Sequence, residues 1–340
     1  MSRPLVVVVA DPSRPAYERT IRETLAEPGW EVRVASGFDD QELAAWAEDA
    51  DVLVTRRRPI PERFLERAGR LACVQHIGGV PRPEVVSWAA ARAVPVEITP
   101  SLGNIAVAEQ AVALLLALTR RVVDAHQATV LGSYRDRGLE PKPTSEVSHG
   151  FQWLALDGLR TLYGATVGVV GLGDIGRTFA ARVGAFGARL LYHQRNRLDP
   201  ATEAELGVSY RGLDELIAEV DVLSLHLPHT PASARLINAA RLATMKPGAI
   251  LINVSRGGLV DEAALVAALQ SGRLGGAGLD VFSLEPVPHD HPLLRLDNVC
   301  LSPHIGAAPA RGLGESMAAV KARILRLLAA RTAGTVGAAP

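Results

Sequence analysis

The sequence predicts an α/β protein with two domains, each a parallel sheet covered by helices. Three observations carry that prediction. The chain has 340 residues, enough for two domains. Its first hundred residues alternate short apolar runs with helical patterns, the signature of a parallel sheet with helices on both faces. Near the middle, an apolar run closes in glycines and opens at once into another helical pattern.

Composition narrows the class. With 48% hydrophobic and 21% charged residues the chain reads as a soluble globular enzyme. Its 36 basic and 36 acidic residues balance, which leaves no electrostatic footprint for nucleic acid or an anionic membrane. Cys73 and Cys300 both lie in apolar strand-like runs and read as core residues. Two buried thiols make no disulfide framework, which fits a reducing, cytoplasmic setting. The apolar run 5–10 is too short for a signal sequence and ends at Asp11-Pro12, so a first buried strand is expected and no targeting segment is apparent. Residues 105–118 form the longest mainly apolar stretch, but Glu109 and Gln110 interrupt it, so it reads as a buried helix rather than a membrane span.

In chain order, strands are expected at 5–10, 31–35, 51–55, 71–76 and 94–98, with helices at 15–26, 40–48 and 61–68 between them. This half has no phosphate-binding glycine triplet and is read as the domain that carries substrate contacts. The break at 100–104 suggests a hinge, followed by a long helix over 105–125 with Asn104 available as its cap. Later strands are expected at 167–170, 189–193, 220–227, 249–254, 276–281 and 299–302. The tail from Ala310 to Ala330 reads as an amphipathic helix able to fold back on the first domain.

Gly171, Gly173 and Gly176 form a G-x-G-x-x-G at a strand-to-helix turn, with Asp174 and Ile175 at the helix start. The first glycine permits the tight turn, the second lets a pyrophosphate approach the backbone, and the third lets helix and strand pack closely. Phosphate then rests on the N–H groups at the helix start. That context favours a dinucleotide over an ordinary glycine-rich turn. An acid that would bond the ribose hydroxyls of NAD is expected about 20 residues further on, at the end of the next strand. There the chain has Gln194-Arg195-Asn196-Arg197 instead. A carboxylate would repel a 2'-phosphate and an arginine would hold it, so Gln194 and Arg195 favour NADP over NAD; the alternative is a solvated basic loop.

From Val107-Ala108-Glu109 onward the chain resembles the D-isomer-specific 2-hydroxyacid dehydrogenases, which include the glyoxylate/hydroxypyruvate reductases. The pieces that carry the resemblance are Gly164-Ala165-Thr166-Val167-Gly168, residues 225–231 (LHLPHTP), 245–249 (MKPGA), 253–261 (NVSRGGLVD), 278–282 with Glu285-Pro286, and Ser302-Pro303-His304-Ile305-Gly306. The resemblance implies a Rossmann nucleotide domain, residues 104–305, inserted into a split flavodoxin-like substrate domain made of 1–103 and 306–340. It further implies an active site in the cleft between them, usually a homodimer, and hydride transfer between NAD(P)H and a small 2-keto or D-2-hydroxy acid.

Residue chemistry supports the same roles. Reduction of a 2-keto acid needs an anchor for the carboxylate and a proton donor for the developing alkoxide. Arg256 suits the first, because a guanidinium fork clamps a carboxylate and polarises the adjacent carbonyl; otherwise it is a surface arginine in a turn. His304 suits the second, with Glu285 fixing its tautomer and favouring the imidazolium; otherwise it is a structural histidine. The resemblance assigns Asp280 to the nicotinamide carboxamide, against a helix-capping alternative, and places Leu227, Pro228, Val254 and Ser255 along the cofactor. His126, His149, His229, His289 and His291 show no metal-ligand spacing, and no metal is expected.

The chain departs from the family in two places. Where a Gly-x-Gly-x-Asp-like loop would grip the substrate carboxylate, it has Ile77-Gly78-Gly79-Val80-Pro81-Arg82-Pro83. Gly79 and Val80 keep their N–H donors, while Pro81 and Pro83 have none. Arg82 in place of the acid makes the pocket more basic and suited to a second anionic group, or else it points to solvent. Arg56-Arg57-Arg58 follows the third strand toward the same edge, with one arginine available to substrate and the others solvated. The polar stretch 135–152 is longer than the family's usual link and reads as a subunit arm, a lid or a surface insertion. A formate dehydrogenase is disfavoured because Glu285 stands where that enzyme has glutamine. Phosphite oxidation and a dinucleotide-sensing binding protein remain the rival readings.

Overall fold

The computed structural model describes residues 3–13, 15–147, 150–308 and 312–332. His149, Ala310 and Arg311 lie outside them. The chain divides into two compact units, one running to Ile105 and resuming at Ala308, the other spanning Ala106–Ala307.

The first unit is a five-stranded parallel sheet of β1 (Leu5–Val9), β2 (Trp30–Val34), β3 (Val52–Thr55), β4 (Cys73–Ile77) and β5 (Val96–Thr99), in the order β2-β1-β3-β4-β5. That is the flavodoxin-like order. Its central strands read as unbroken apolar runs because both faces are covered. One face packs Val6, Val8 and Leu53 with Phe64, Val85 and Trp88, and the other packs Val7, Val9, Val52 and Cys73. On this second face lie Met317, Val320 and Ile324 of the helix Gly312–Thr332, so the last helix of the chain completes the first unit's core.

The second unit is a seven-stranded parallel sheet. Its strands are β6 (Thr166–Val170), β7 (Arg189–His193), β8 (Val208–Tyr210), β9 (Val222–Leu225), β10 (Ala249–Asn253), β11 (Leu274–Leu279) and β12 (Val299–Leu301). They run in the order β12-β11-β10-β9-β6-β7-β8, a Rossmann arrangement in which the order reverses between β6 and β9. Ligands of open parallel sheets bind at the carboxyl ends of the strands beside such a reversal.

Three details correct the sequence expectations. The helix expected over 105–125 is two helices, Leu102–Thr119 and Val122–Leu131. Arg121 adopts a left-handed backbone (φ 50°), and the Thr119 carbonyl accepts the Arg160 N–H (2.8 Å) in place of the next helical donor. Asn104 is not the cap. The helix begins two residues earlier, and the Asn104 N–H donates to Ser101 Oγ (3.4 Å). Cys300 is only half-buried, unlike Cys73. Other strand limits differ from expectation by one or two residues. By length and composition Leu102–Thr119 is apolar enough to cross a membrane, yet Val107, Ala108, Ala111, Leu114 and Leu115 pack into the second unit's core.

Candidate active site

The glycine turn sits where the strand order reverses. Gly171 leaves β6 at φ 93°, and a Cβ there would lie 2.6 Å from the carbonyl oxygen of His226, just beyond β9. At Gly176 a Cβ would lie 2.1 Å from the carbonyl oxygen of Gly171, so the helix Asp174–Gly184 closes on the turn only because this residue has no side chain. Gly173 differs from both. A Cβ there meets nothing within 4 Å, and no side chain caps the helix that follows. Tight packing on two sides and open space on the third make a cradle that fits a dinucleotide pyrophosphate. His226 lies beside it, with Nε2 paired to Ser224 Oγ (2.8 Å) and Nδ1 buried without a partner among the described residues. Burial pushes its pKa down to about 3, so the ring stays neutral.

At the end of β7 the two arginines separate. Arg197 is engaged by Glu203 through two hydrogen bonds (2.8 and 2.9 Å) and lies over the Tyr210 ring. Gln194 donates to the Asn196 carbonyl (2.7 Å) and shapes the loop. Arg195 is exposed, and its guanidinium has no partner among the described residues.

The carboxyl ends of β10, β11 and β12 bring Arg256, Glu285 and His304 together. His304 Nδ1 lies 2.6 Å from Glu285 Oε2, and the second carboxylate oxygen accepts the Phe282 N–H (3.0 Å). Burial by itself would raise the Glu285 pKa. The hydrogen bonds from His304 and Phe282, with the charges of His304 and Arg256, hold it below the ordinary glutamate value instead. An ionised carboxylate on Nδ1 requires the proton there and turns Nε2 outward. His304 adopts φ 56°, a left-handed backbone that a non-glycine residue holds only when its surroundings enforce it.

Asp280 supplies that enforcement. It is 1% exposed, accepts the Ser302 hydroxyl (2.6 Å) and the Ile305 N–H (3.0 Å) on one oxygen, and accepts the Gly306 N–H (2.9 Å) on the other. Val254 is buried, and Ser255 donates to the Leu225 carbonyl (2.8 Å), which ties the turn after β10 to the end of β9, just ahead of Leu227 and Pro228. Phe282, Pro286, Val287, Leu294, Leu301 and Pro303 wall a cavity of about 520 Å³ beside Glu285 and His304.

In the first unit, Gly79 and Val80 follow β4, and the Val80 N–H has no partner among the described residues. Arg58 is neither solvated nor open to substrate. It is 3% exposed and donates to the carbonyls of Ala10 and Gly37 and to Asp40. A position read as solvated is filled by an arginine because three acceptors surround its head.

A sequence model described as "D-isomer specific 2-hydroxyacid dehydrogenase, NAD binding domain" matches residues 112–306. The chain belongs to the D-isomer specific 2-hydroxyacid dehydrogenase family. Its matched segment is the family's nicotinamide-dinucleotide-binding domain. Among relatives, a glyoxylate reductase of Thermococcus onnurineus is 40% identical over 278 residues, 82% of this chain and 79% of the relative. A D-3-phosphoglycerate dehydrogenase of Mycobacterium leprae is 38% identical over 309 residues, 90% of this chain but 53% of the relative, so the chain spans about half the length of that protein. Among solved structures, an NADPH-dependent glyoxylate/hydroxypyruvate reductase of Sinorhizobium meliloti, in complex with NADP and malonate, is 32% identical with a TM-score of 0.54, over 96% of this chain and 93% of that one.

In this 2-hydroxyacid dehydrogenase family member, two supports, the buried Asn253 and the half-buried Gln110, escaped sequence reasoning. Asn253 donates to the Arg256 carbonyl (2.9 Å) and accepts the Ser255 N–H (3.1 Å), which fixes the turn that presents Arg256. Gln110 donates to Ser302 (2.8 Å) and so extends the Asp280 network. A buried polar residue inside an apolar strand was the available signal for Asn253. Gln110 had none, because its partner lies 192 residues away. At the opposite, amino end of the sheet, a cavity of about 430 Å³ is lined by Arg121, Asp124, Arg160 and Cys300, whose thiol pKa is pushed up by burial and by Asp124. Among the described residues no group of three potential ligands is placed to hold a metal.

Proposed function

We propose that the protein is an NADPH-preferring reductase that interconverts small 2-keto acids and D-2-hydroxy acids. The observation that carries this reading is the His304–Glu285 pair at 2.6 Å, with the Arg256 charge acting on the same carboxylate. The nicotinamide cofactor, when bound, supplies the hydride. Arg256 clamps the substrate carboxylate and polarises its carbonyl. His304 delivers the Nε2 proton to the forming hydroxyl, while Glu285 holds the imidazolium. Gly171, Gly173, Asp174, Ile175 and Gly176 receive the pyrophosphate, Leu227, Pro228, Val254 and Ser255 line the cofactor, and Asp280 adds a carboxamide contact to its work under the His304 loop. On this reading the 106–307 unit is the cofactor domain and the other is the substrate domain, with Gly79 and Val80 as its carboxylate donors. The helix Val122–Leu131 buries no residue and exposes Val122, Val123, Val130 and Leu131, which supports a homodimer. A cytoplasmic enzyme fits the free thiols.

Initial rates of NADPH and NADH oxidation with glyoxylate, hydroxypyruvate, pyruvate and phenylpyruvate test the reading. Turnover on at least one is expected; tight cofactor binding with none turned over would sink it. Exchanging Gln194 for Asp and Arg195 for Gln is expected to move the NADPH:NADH ratio of kcat/KM toward NADH by about tenfold or more, since a charge-assisted bond contributes about 1.5–3 kcal/mol. A ratio that stays put would show that this loop does not read the ribose phosphate.

A further inference from the structure

The loop that presents Glu285 runs from the buried Phe282 to the buried Leu293, and Ser283, Leu284, Glu285 and Pro286 within it are all exposed. Burial therefore does little to hold the carboxylate in place. Two consecutive N–H groups at the start of this loop go to two different carboxylates. Glu285 accepts the first on Oε1, from Phe282 at 3.0 Å, and meets His304 Nδ1 at 2.6 Å on Oε2. Glu262, the first residue of the helix Glu262–Gln270, repeats the pattern one residue on: Oε1 accepts the Ser283 N–H at 3.4 Å, and Oε2 lies 3.6 Å from His291 Nε2. His291 closes the loop from its other end, because its Nδ1 accepts the Leu293 N–H (3.3 Å) and caps the short helix Pro292–Arg295. An acceptor at Nδ1 leaves the ring proton on Nε2, which faces Glu262. The Glu262 and His291 side chains are 16% and 20% exposed, so water and salt screen this pair less than a surface pair.

Glu262 thus grips the loop near both of its ends, at Ser283 and at His291, from the helix that follows the Arg256 turn. A Cβ at Gly257 would lie 2.4 Å from that same Ser283 nitrogen, so the grip falls where the Arg256 turn and the Glu285 loop meet. All of these residues belong to the second unit. We propose that Glu262 and His291 are positioning residues: they fix the loop that carries Glu285, and through Glu285 they set the orientation of the His304 ring. The inference rests on the reductase reading above and adds two residues to its machinery, neither of which is asked to meet substrate or cofactor.

The test is a double-mutant cycle on kcat for the keto acid that the unmodified protein reduces fastest, at saturating NADPH. Glu262→Ala is expected to lower kcat about tenfold, the low end for one hydrogen bond to a charged group, with NADPH affinity unchanged. His291→Asn keeps a cap for Leu293 and removes the contact with Glu262, so kcat should fall in the same direction by a smaller factor. In a Glu285→Gln background, where the dyad is already broken, the loss from Glu262→Ala should shrink by more than about twofold, the scatter of independent sites. A loss that persists undiminished there would mark a merely structural role and overturn the proposal, and full rate in either single variant would overturn the assignment of that residue. Should no keto acid be reduced, the reductase reading falls on its own account. Amide hydrogen exchange then decides the clamp: Glu262→Ala is expected to speed exchange at Phe282, whose N–H Glu285 holds, as well as at Ser283, and unchanged protection at Phe282 would overturn it.

Discussion

Replacing His304 with alanine is expected to slow the reduction of a 2-keto acid by about 100- to 10,000-fold while the protein still binds NADPH, because a positioned general acid contributes that much to a proton transfer. Among the described residues no hydrogen bond joins the imidazole to the proposed cofactor cradle at Gly171–Gly176, so the two effects are expected to separate. Single-turnover NADPH oxidation measures the first and fluorescence titration of NADPH the second; a variant that keeps full speed would move the proton donor elsewhere. On the proposed mechanism the dyad also sets the acid side of the profile. The Glu285 pKa is depressed in the folded protein, so its charge is lost only as pH falls through a value below the ordinary glutamate value of about 4.3. Between about pH 7 and pH 5, then, Glu285 protonation should take nothing from kcat.

Gly257→Ala is expected to cost the most stability of any change near the site. A Cβ at Gly257 would lie 2.0 Å from the carbonyl carbon of Phe282, 2.1 Å from its oxygen and 2.4 Å from the Ser283 nitrogen. All three are backbone atoms, so no rotamer relieves the clash, and the turn holding Arg256 must part from the loop holding Glu285. A loss of about 3 kcal/mol is anticipated, in the upper range for single substitutions, with kcat/KM falling as the two groups separate. Gly258→Ala is the natural control. The three atoms nearest its Cβ all belong to the His229 ring, the closest at 2.8 Å, and that exposed side chain can swing aside. Thermal unfolding of both variants tests the contrast; matching midpoints would show that the close approach at Gly257 is no constraint.

Much of this was legible in the sequence because the physics is local. The β-branched runs of β1 and β6 read as strands since both faces of each sheet are buried, and the glycine triplet read as a turn since each glycine meets a different steric demand. Arg256, Glu285 and His304 stood out only as parts of long motifs. What stayed hidden depends on partners distant in the chain. Arg195 and Arg197 look alike until Glu203 is seen to engage one of them. Arg58 reads as solvated until Gly37 and Asp40 fold around it. The break after Thr119 has no marker, because the left-handed residue is an arginine rather than a glycine and the carbonyl it frees is taken by Arg160, about forty residues on.

The helix Gly312–Thr332 bears on how the protein is made. Its Met317, Val320 and Ile324 cover Val7, Val9 and Val52, yet about two hundred residues of the other unit are synthesised before it. At about 5–20 residues per second the ribosome takes roughly 10–40 s over that interval. During it the amino-terminal sheet has one apolar face without its final cover, while the second unit can emerge and fold whole. The order of maturation is thus reversed relative to the order of translation: the half made first is finished last, and its valine-rich strands are what a nascent-chain chaperone would meet.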